Sequence, residues 1–124
     1  MYSKPLIVLT DELTVSAGEI FASIMKDNKR GPLVGTRTAG WGGAVNAFQT
    51  GTYSEAGSSN TQTLVVRRSP VATSGYPTSA YIENAGVTPD ILLELMTKQN
   101  LLTRGKPYVE GFTQAIVEHI KSTR

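Results

Sequence analysis

The stretch "TVSAGEIFASIM", residues 14–25, holds the residue types best suited to covalent chemistry in a chain with one histidine and no cysteine. Ser16 stands directly before an apolar helical pattern, and two roles compete for it. Ser16-Ala17-Gly18-Glu19 has the S-x-x-E spacing of a capping box. There the serine oxygen accepts from the Glu19 amide and the Glu19 carboxylate reaches back to the Ser16 amide. Such a cap is worth about 0.5–2 kcal/mol. The other role is that of a nucleophile. A serine between a strand and a helix is presented at the carboxyl end of the strand, where open α/β sheets place their sites. The helix N-terminus beyond it carries free amides and positive potential, so the Ala17 amide can donate to a developing oxyanion. The small Ala17 and Gly18 leave room for a substrate carbonyl. Ser16 is not in G-x-S-x-G, so a nucleophile elbow of the α/β-hydrolase kind is not indicated. The serine alone does not choose between the two roles.

The elements that must position it follow from periodicity. "PLIVLT", residues 5–10, is a continuous apolar run, the pattern of a strand covered on both faces. Ile20, Phe21, Ile24 and Met25 form one helical stripe, ended by "DNKRG" with Gly31 and Pro32 as stop signals. "PLVG" predicts a second strand, so the segment is a βαβ unit with a parallel pair and a right-handed crossover. Val45 and Ala47 alternate with polar positions and predict a strand over 44–50. "GTYSEAGSSNTQT", residues 51–63, is expected to be a mobile loop, and "TLVVRRSPV" another strand. Pro77 and Pro89 forbid a long helix between them. A final helix starts at Pro107 and places Val109, Phe112, Ala115, Ile116 and Ile120 on one face.

Composition limits the function. The chain has 124 residues, 40% of them apolar, and a formal charge of +2. Lys29-Arg30 and Arg67-Arg68 are its basic doublets and no aromatic residues interleave with them, so nucleic-acid binding is not indicated. No apolar run approaches the ~20 residues that span a bilayer. The apolar run at the N-terminus is shorter than the ~7–15 residues of a signal core. A strand that begins almost at the first residue suggests a piece of a longer chain.

"PLIVLTDELTVSAGEIFASIMKDNKRGPLVGTRTAGWGG" resembles the catalytic core of the tail-specific, or carboxyl-terminal-processing, serine peptidases. Their pattern is a buried strand, S-A-x-E with the nucleophilic serine first, an apolar helix, D-N-x-R and V-G-x-x-T-x-G. Ser16, Ala17, Glu19, Asp27, Asn28, Arg30, Val34, Gly35, Thr38 and Gly40 match it as they stand. "YIENAGVTPDI", residues 81–91, is similar to a second signature, E-N-x-G-V-x-P-D. One position departs. Classical bacterial members place a catalytic lysine after T-x-G, and here that place holds Trp41, which points to the tricorn-like branch. In that branch a histidine from an upstream segment is the general base, and a glutamate completes the tetrad through a second serine; Glu83 is the match.

The resemblance implies an α/β fold. It would be part of a Clp protease and crotonase-like core, a βαβ unit followed by mixed strands and C-terminal helices. Residues 1–124 are then expected to form the C-terminal half of a serine peptidase catalytic domain, inactive alone because the base lies upstream. Ser16 and Glu83 are the expected catalytic residues; Ala17, Gly18 and Trp41 are the expected oxyanion and substrate-binding residues. Trp41 either lines a pocket or packs over the neighbouring glycines. The expected substrate is a peptide or protein tail. Neither a metal nor an organic cofactor is implied. Self-association, or pairing with the missing N-terminal half, is expected from an unpaired strand edge. Export would follow by resemblance if the source is bacterial. The alternatives are a non-catalytic module on the same fold that binds apolar ligands or protein, and a structural module in which Ser16 is only a cap. His119 is expected at the surface or half-buried on its helix, Lys26 and Lys29 at the surface, Asp11 and Glu12 in a turn, and Asp90 in a turn before the next strand.

Overall fold

The computed structural model describes residues 2–73 and 75–123. The chain runs β1 (Val8–Thr10), α1 (Ala17–Asp27), β2 (Leu33–Gly35), β3 (Ala44–Gln49), β4 (Gly57–Thr63), β5 (Val66–Thr73), β6 (Tyr76–Tyr81), β7 (Ile91–Leu92), α2 (Lys98–Leu102) and α3 (Lys106–Ser122). β1 and β2 pair in parallel, with Leu9 opposite Val34, and α1 is the crossover between them. This is the βαβ unit that the apolar spacing predicts. β7 adds to the far side of β2, also parallel, giving the order β1-β2-β7.

β1 differs from expectation. The hydrogen-bonded strand is only three residues long, and it lies at an edge of the sheet with Leu9 exposed. An apolar run reports that a segment will be buried, not which of its neighbours does the burying. The helix α1 is also turned away from the prediction. Its buried residues are Glu19, Ala22 and Ser23, while Phe21 and Ile24 are each 54% exposed. The small core that does form joins Ala22, Leu33, Ile82 and Val87, with Val8, Met25 and Val65 packed against it.

Two antiparallel ribbons stand beside this sheet, β3 with β4 and β5 with β6. β4 lies within the region expected to be a loop. Its Gly-Ser-Ser-Asn composition argues against a strand in isolation, but β3 supplies a partner over its whole length. Pro70 and Pro77 sit inside β5 and β6, which suits a two-stranded ribbon whose outer edges need no ladder bond. At the C-terminal end, Thr97 caps α2 by accepting from the Asn100 amide, and the Asn100 carboxamide oxygen accepts from the Tyr108 amide at the start of α3. Burial, and secondarily the Asp11 carboxylate, raise the pKa of Tyr108 above its ordinary value. The expected apolar face of α3 is only partly covered: Ala115 is buried, whereas Val109 is half exposed.

β5 is tied to α1 by an ion pair between Arg67 and Asp27, whose side chains are 3% and 20% exposed. Asp27 belongs to the D-N-x-R motif, and this pairing is what that aspartate does structurally. Its removal leaves a buried guanidinium without a counter-charge, at a cost of about 3–5 kcal/mol. Asp27→Ala is expected to lower the midpoint of urea denaturation accordingly. Asp27→Ala combined with Arg67→Met should recover most of that loss, because the second change removes the orphaned charge.

Candidate active site

Ser16 is the residue before α1, and its backbone decides between the two roles. It has φ 51° and ψ −120°, and its side chain makes no capping bond. The capping box predicted for Ser16 and Glu19 is therefore absent. The left-handed φ swings the hydroxyl away from the helix amides, and the Glu19 carboxylate points into the protein instead. A non-glycine residue in such a conformation costs about 1–3 kcal/mol and persists only where the surroundings over-determine it. They do so here. The Ser16 N–H donates to the Trp41 carbonyl at 3.1 Å, and the Ser16 carbonyl accepts from the amides of Glu19 at 2.9 Å and Ile20 at 3.1 Å. The hydroxyl is left exposed at the end of a strand-loop-helix junction. Among the described residues the Ala17 N–H, the first of α1, has no acceptor, while the Gly18 N–H is taken by the Val15 carbonyl.

Ser16 opens onto a cavity of about 350 Å³ whose wall combines Val15, Trp41 and Val45 with Thr61 and Glu83. Trp41 is 67% exposed and contributes to the wall of this cavity together with Gly43. Its backbone comes from the loop after β2, which is held against the turn at 82–87. The Thr38 N–H donates to Val87 O, the Val87 N–H to Thr38 Oγ1, and the Asn84 N–H to Gly40 O at 2.7 Å. The second sequence motif is this turn. Asn84 and Gly86 both have left-handed φ, and a Cβ on Gly86 would come within 2.4 Å of the Thr38 carbonyl oxygen. The two motifs thus lie back to back.

Glu83 enters the cavity from the same turn. Its carboxylate accepts from the Gly43 N–H at 2.9 Å and from the Thr61 hydroxyl at 3.2 Å. The structure therefore brings Ser16, Trp41 and Glu83 around one cavity. Ala17 and Gly18 both lie on α1 outside the cavity wall, Ala17 directly beside Ser16. Sequence reasoning missed Val45, Ser59 and Thr61, which reach the cavity on the β3–β4 hairpin. The alternation of Ser59, Thr61 and Thr63 was the available signal, masked by the glycine- and serine-rich surroundings.

The remaining polar candidates lie elsewhere. Asp11 accepts from the Leu13 amide and the Thr14 hydroxyl, as a turn residue does. Lys26 is not a free surface charge: its ammonium donates to the Thr88 carbonyl and pairs with Asp90 at 2.8 Å. Asp90 also accepts from the Leu33 amide, so it fixes the approach to β7 against β2. His119 is half-buried in a separate recess beside Lys26 and Lys29. No group of acidic or histidine residues suited to a metal ion occurs among the described residues, and no described helix is long and apolar enough to cross a membrane.

Residues 1–93 match the model of Peptidase family S41. A protein of Chlamydia pneumoniae is 38% identical over 113 residues, covering 89% of this chain and 16% of that protein. The chloroplastic C-terminal processing peptidase of Tetradesmus obliquus is 34% identical over 92 residues, covering 74% and 18%. The structure of mature CPAF complexed with lactacystin superposes with a TM-score of 0.83 at 34% identity, over 98% of this chain and 22% of that one. The chain belongs to Peptidase family S41. Its fold is an α/β core of the Clp protease and crotonase type, and it spans between 16% and 22% of the length of these three proteins.

The contact between Gly43 and the hairpin is close enough to test. A Cβ at residue 43 would lie 2.4 Å from Thr61 Cγ2 and 2.5 Å from the Thr63 carbonyl oxygen. Gly43→Ala must push β4 away from Glu83, and overpacking of this kind costs about 1–3 kcal/mol. Chemical denaturation is expected to show that loss; an unchanged midpoint would mean that the hairpin is not held at this distance.

Proposed function

We propose that this chain forms the C-terminal half of the catalytic domain of a serine peptidase of the tricorn-like branch, acting on peptides or protein tails. The observation that carries the reading is the strained, exposed Ser16 facing a cavity that also holds Glu83. Ser16 Oγ attacks the scissile carbonyl carbon as a general base takes its proton. The Ala17 N–H donates to the oxyanion of the tetrahedral intermediate. Collapse expels the amine, which receives that proton, and water then hydrolyses the ester in the same way. The base is a histidine outside this chain, since Trp41 stands where the lysine of the dyad branch would be and His119 lies outside the cavity. Glu83 orients the imidazole through an intervening hydroxyl. Thr61 suits that role, because its hydroxyl donates to Glu83 and keeps lone pairs free to accept an imidazole N–H.

The rest of the catalytic domain pairs with the open edge of β1 and covers the apolar face that Phe21 and Ile24 present. A non-catalytic module that binds apolar ligands is the competing reading, favoured by Val15, Trp41 and Val45 in the cavity wall. Mutagenesis separates the two.

In a protein that carries this segment with its upstream histidine, Ser16→Ala is expected to lower kcat on a peptide substrate by several orders of magnitude, with about 10⁶ as the scale for loss of a triad serine. Glu83→Gln should cost less, because it acts through other groups. Full activity in Ser16→Ala excludes the peptidase reading, and an unchanged kcat in Glu83→Gln reduces that glutamate to a structural part of its turn. The 124-residue chain alone is expected not to hydrolyse casein or fluorogenic peptides. Turnover that is lost in Ser16→Ala would place the base within the chain.

A further inference from the structure

Glu19 is buried completely, yet no lysine, arginine or histidine pairs with it among the described residues. Its charge is met by three donors instead. Oε1 accepts from the Thr38 hydroxyl at 2.5 Å and the Gly40 N–H at 2.7 Å; Oε2 accepts from the Trp41 N–H at 2.6 Å. These are the short, charge-assisted bonds that a carboxylate makes. They feed into a closed circuit. Glu19 holds the Trp41 N–H, the Trp41 carbonyl holds the Ser16 N–H, and the Ser16 carbonyl holds the Glu19 N–H. The circuit passes through the one non-glycine residue of the cavity wall with a left-handed φ.

We propose that Glu19 is a positioning residue that keeps Ser16 in its strained, reactive conformation by gripping the backbone of Trp41. The proposal rests on the peptidase reading of Ser16. Glu19 does not line the cavity, so it acts only through Trp41 and Ser16. The donor pattern explains why a carboxylate is required there. In Glu19→Gln the amide nitrogen cannot accept. At the Oε1 position it would confront the Gly40 N–H and also give up the bond from the Thr38 hydroxyl, whereas at the Oε2 position a single bond is lost. The nitrogen therefore goes to the Oε2 position and orphans the Trp41 N–H. The grip on Trp41 is lost while the shape of the side chain is kept. The Trp41 side chain and backbone then have separable roles: the indole forms cavity wall, and the peptide group holds the nucleophile.

The test compares Glu19→Gln, Trp41→Ala and Ser16→Ala in the peptidase that carries this segment, with kcat, KM and the denaturation midpoint measured for each. A misplaced reacting group costs up to about 100-fold, so Glu19→Gln is expected to lower kcat about 10- to 100-fold per folded molecule, with KM within about threefold of the parent. Trp41→Ala should chiefly raise KM. Trp41 is the only tryptophan of this chain, so Glu19→Gln in the 124-residue chain should also shift its emission and its acrylamide quenching. An unchanged kcat per folded molecule overturns the proposal. Should Glu19→Gln fail to fold, Thr38→Val removes one donor to the carboxylate and Thr38→Ser retains it; equal rates in these two overturn the proposal, and a loss confined to Thr38→Val supports it. Should Ser16→Ala keep full turnover, the peptidase reading falls and fluorescence decides the rest: an unshifted Trp41 spectrum in folded Glu19→Gln overturns the grip, and a shifted one supports it.

Discussion

A carboxylate without a cationic partner sits at the centre of this structure, and its need for donors dictates the path of three segments. Glu19 takes the Thr38 hydroxyl and the amides of Gly40 and Trp41. Burial of a lone carboxylate carries an effective penalty of several kcal/mol. The short bonds to three donors offset it only while all three stay in place. The loop after β2 therefore cannot drift from α1. Because Thr38 also exchanges bonds with Val87, the turn at 82–87 is bound to the same centre. Ser16 receives its strained conformation from this arrangement and not from its own preferences.

The arrangement matters more than usual because the apolar core is small. Four buried side chains form the core cluster, and the parallel strands are only two or three residues long. The apolar stripe of α1 lies largely outward. Polar contacts, including the Arg67–Asp27 and Lys26–Asp90 pairs, carry connections that a larger core would make by packing. Fixed geometry at the site is obtained from hydrogen bonds of high directionality, whose loss is costly and local.

The cavity joins segments with different degrees of restraint. Ser16 and the Trp41 backbone belong to the Glu19 circuit. Val45, Ser59 and Thr61 stand on a ribbon of two strands, an architecture of marginal stability by itself. Glu83 links the two parts, accepting from Gly43 at the base of the hairpin and from Thr61 on its second strand. The nucleophile side is thus rigid, and the opposite wall depends on one carboxylate for its position.

The sequence by itself determined the βαβ unit, the start of the last helix, and the importance of two motifs. Each depends on local signals: apolar runs, proline and glycine positions, and spacing that survives without tertiary context. Only the tertiary structure decided which way each signal was used. S-x-x-E is the same four letters whether its glutamate caps a helix or turns inward, and the donors at 38–41 that draw it inward lie about twenty residues away. β4 exists because β3 pairs with it, since its own composition favours a loop. Lys26 is drawn from the surface by Thr88 and Asp90, more than sixty residues along the chain. In each case a long-range partner supplies more free energy than the local preference, and one-dimensional spacing does not record where that partner will be.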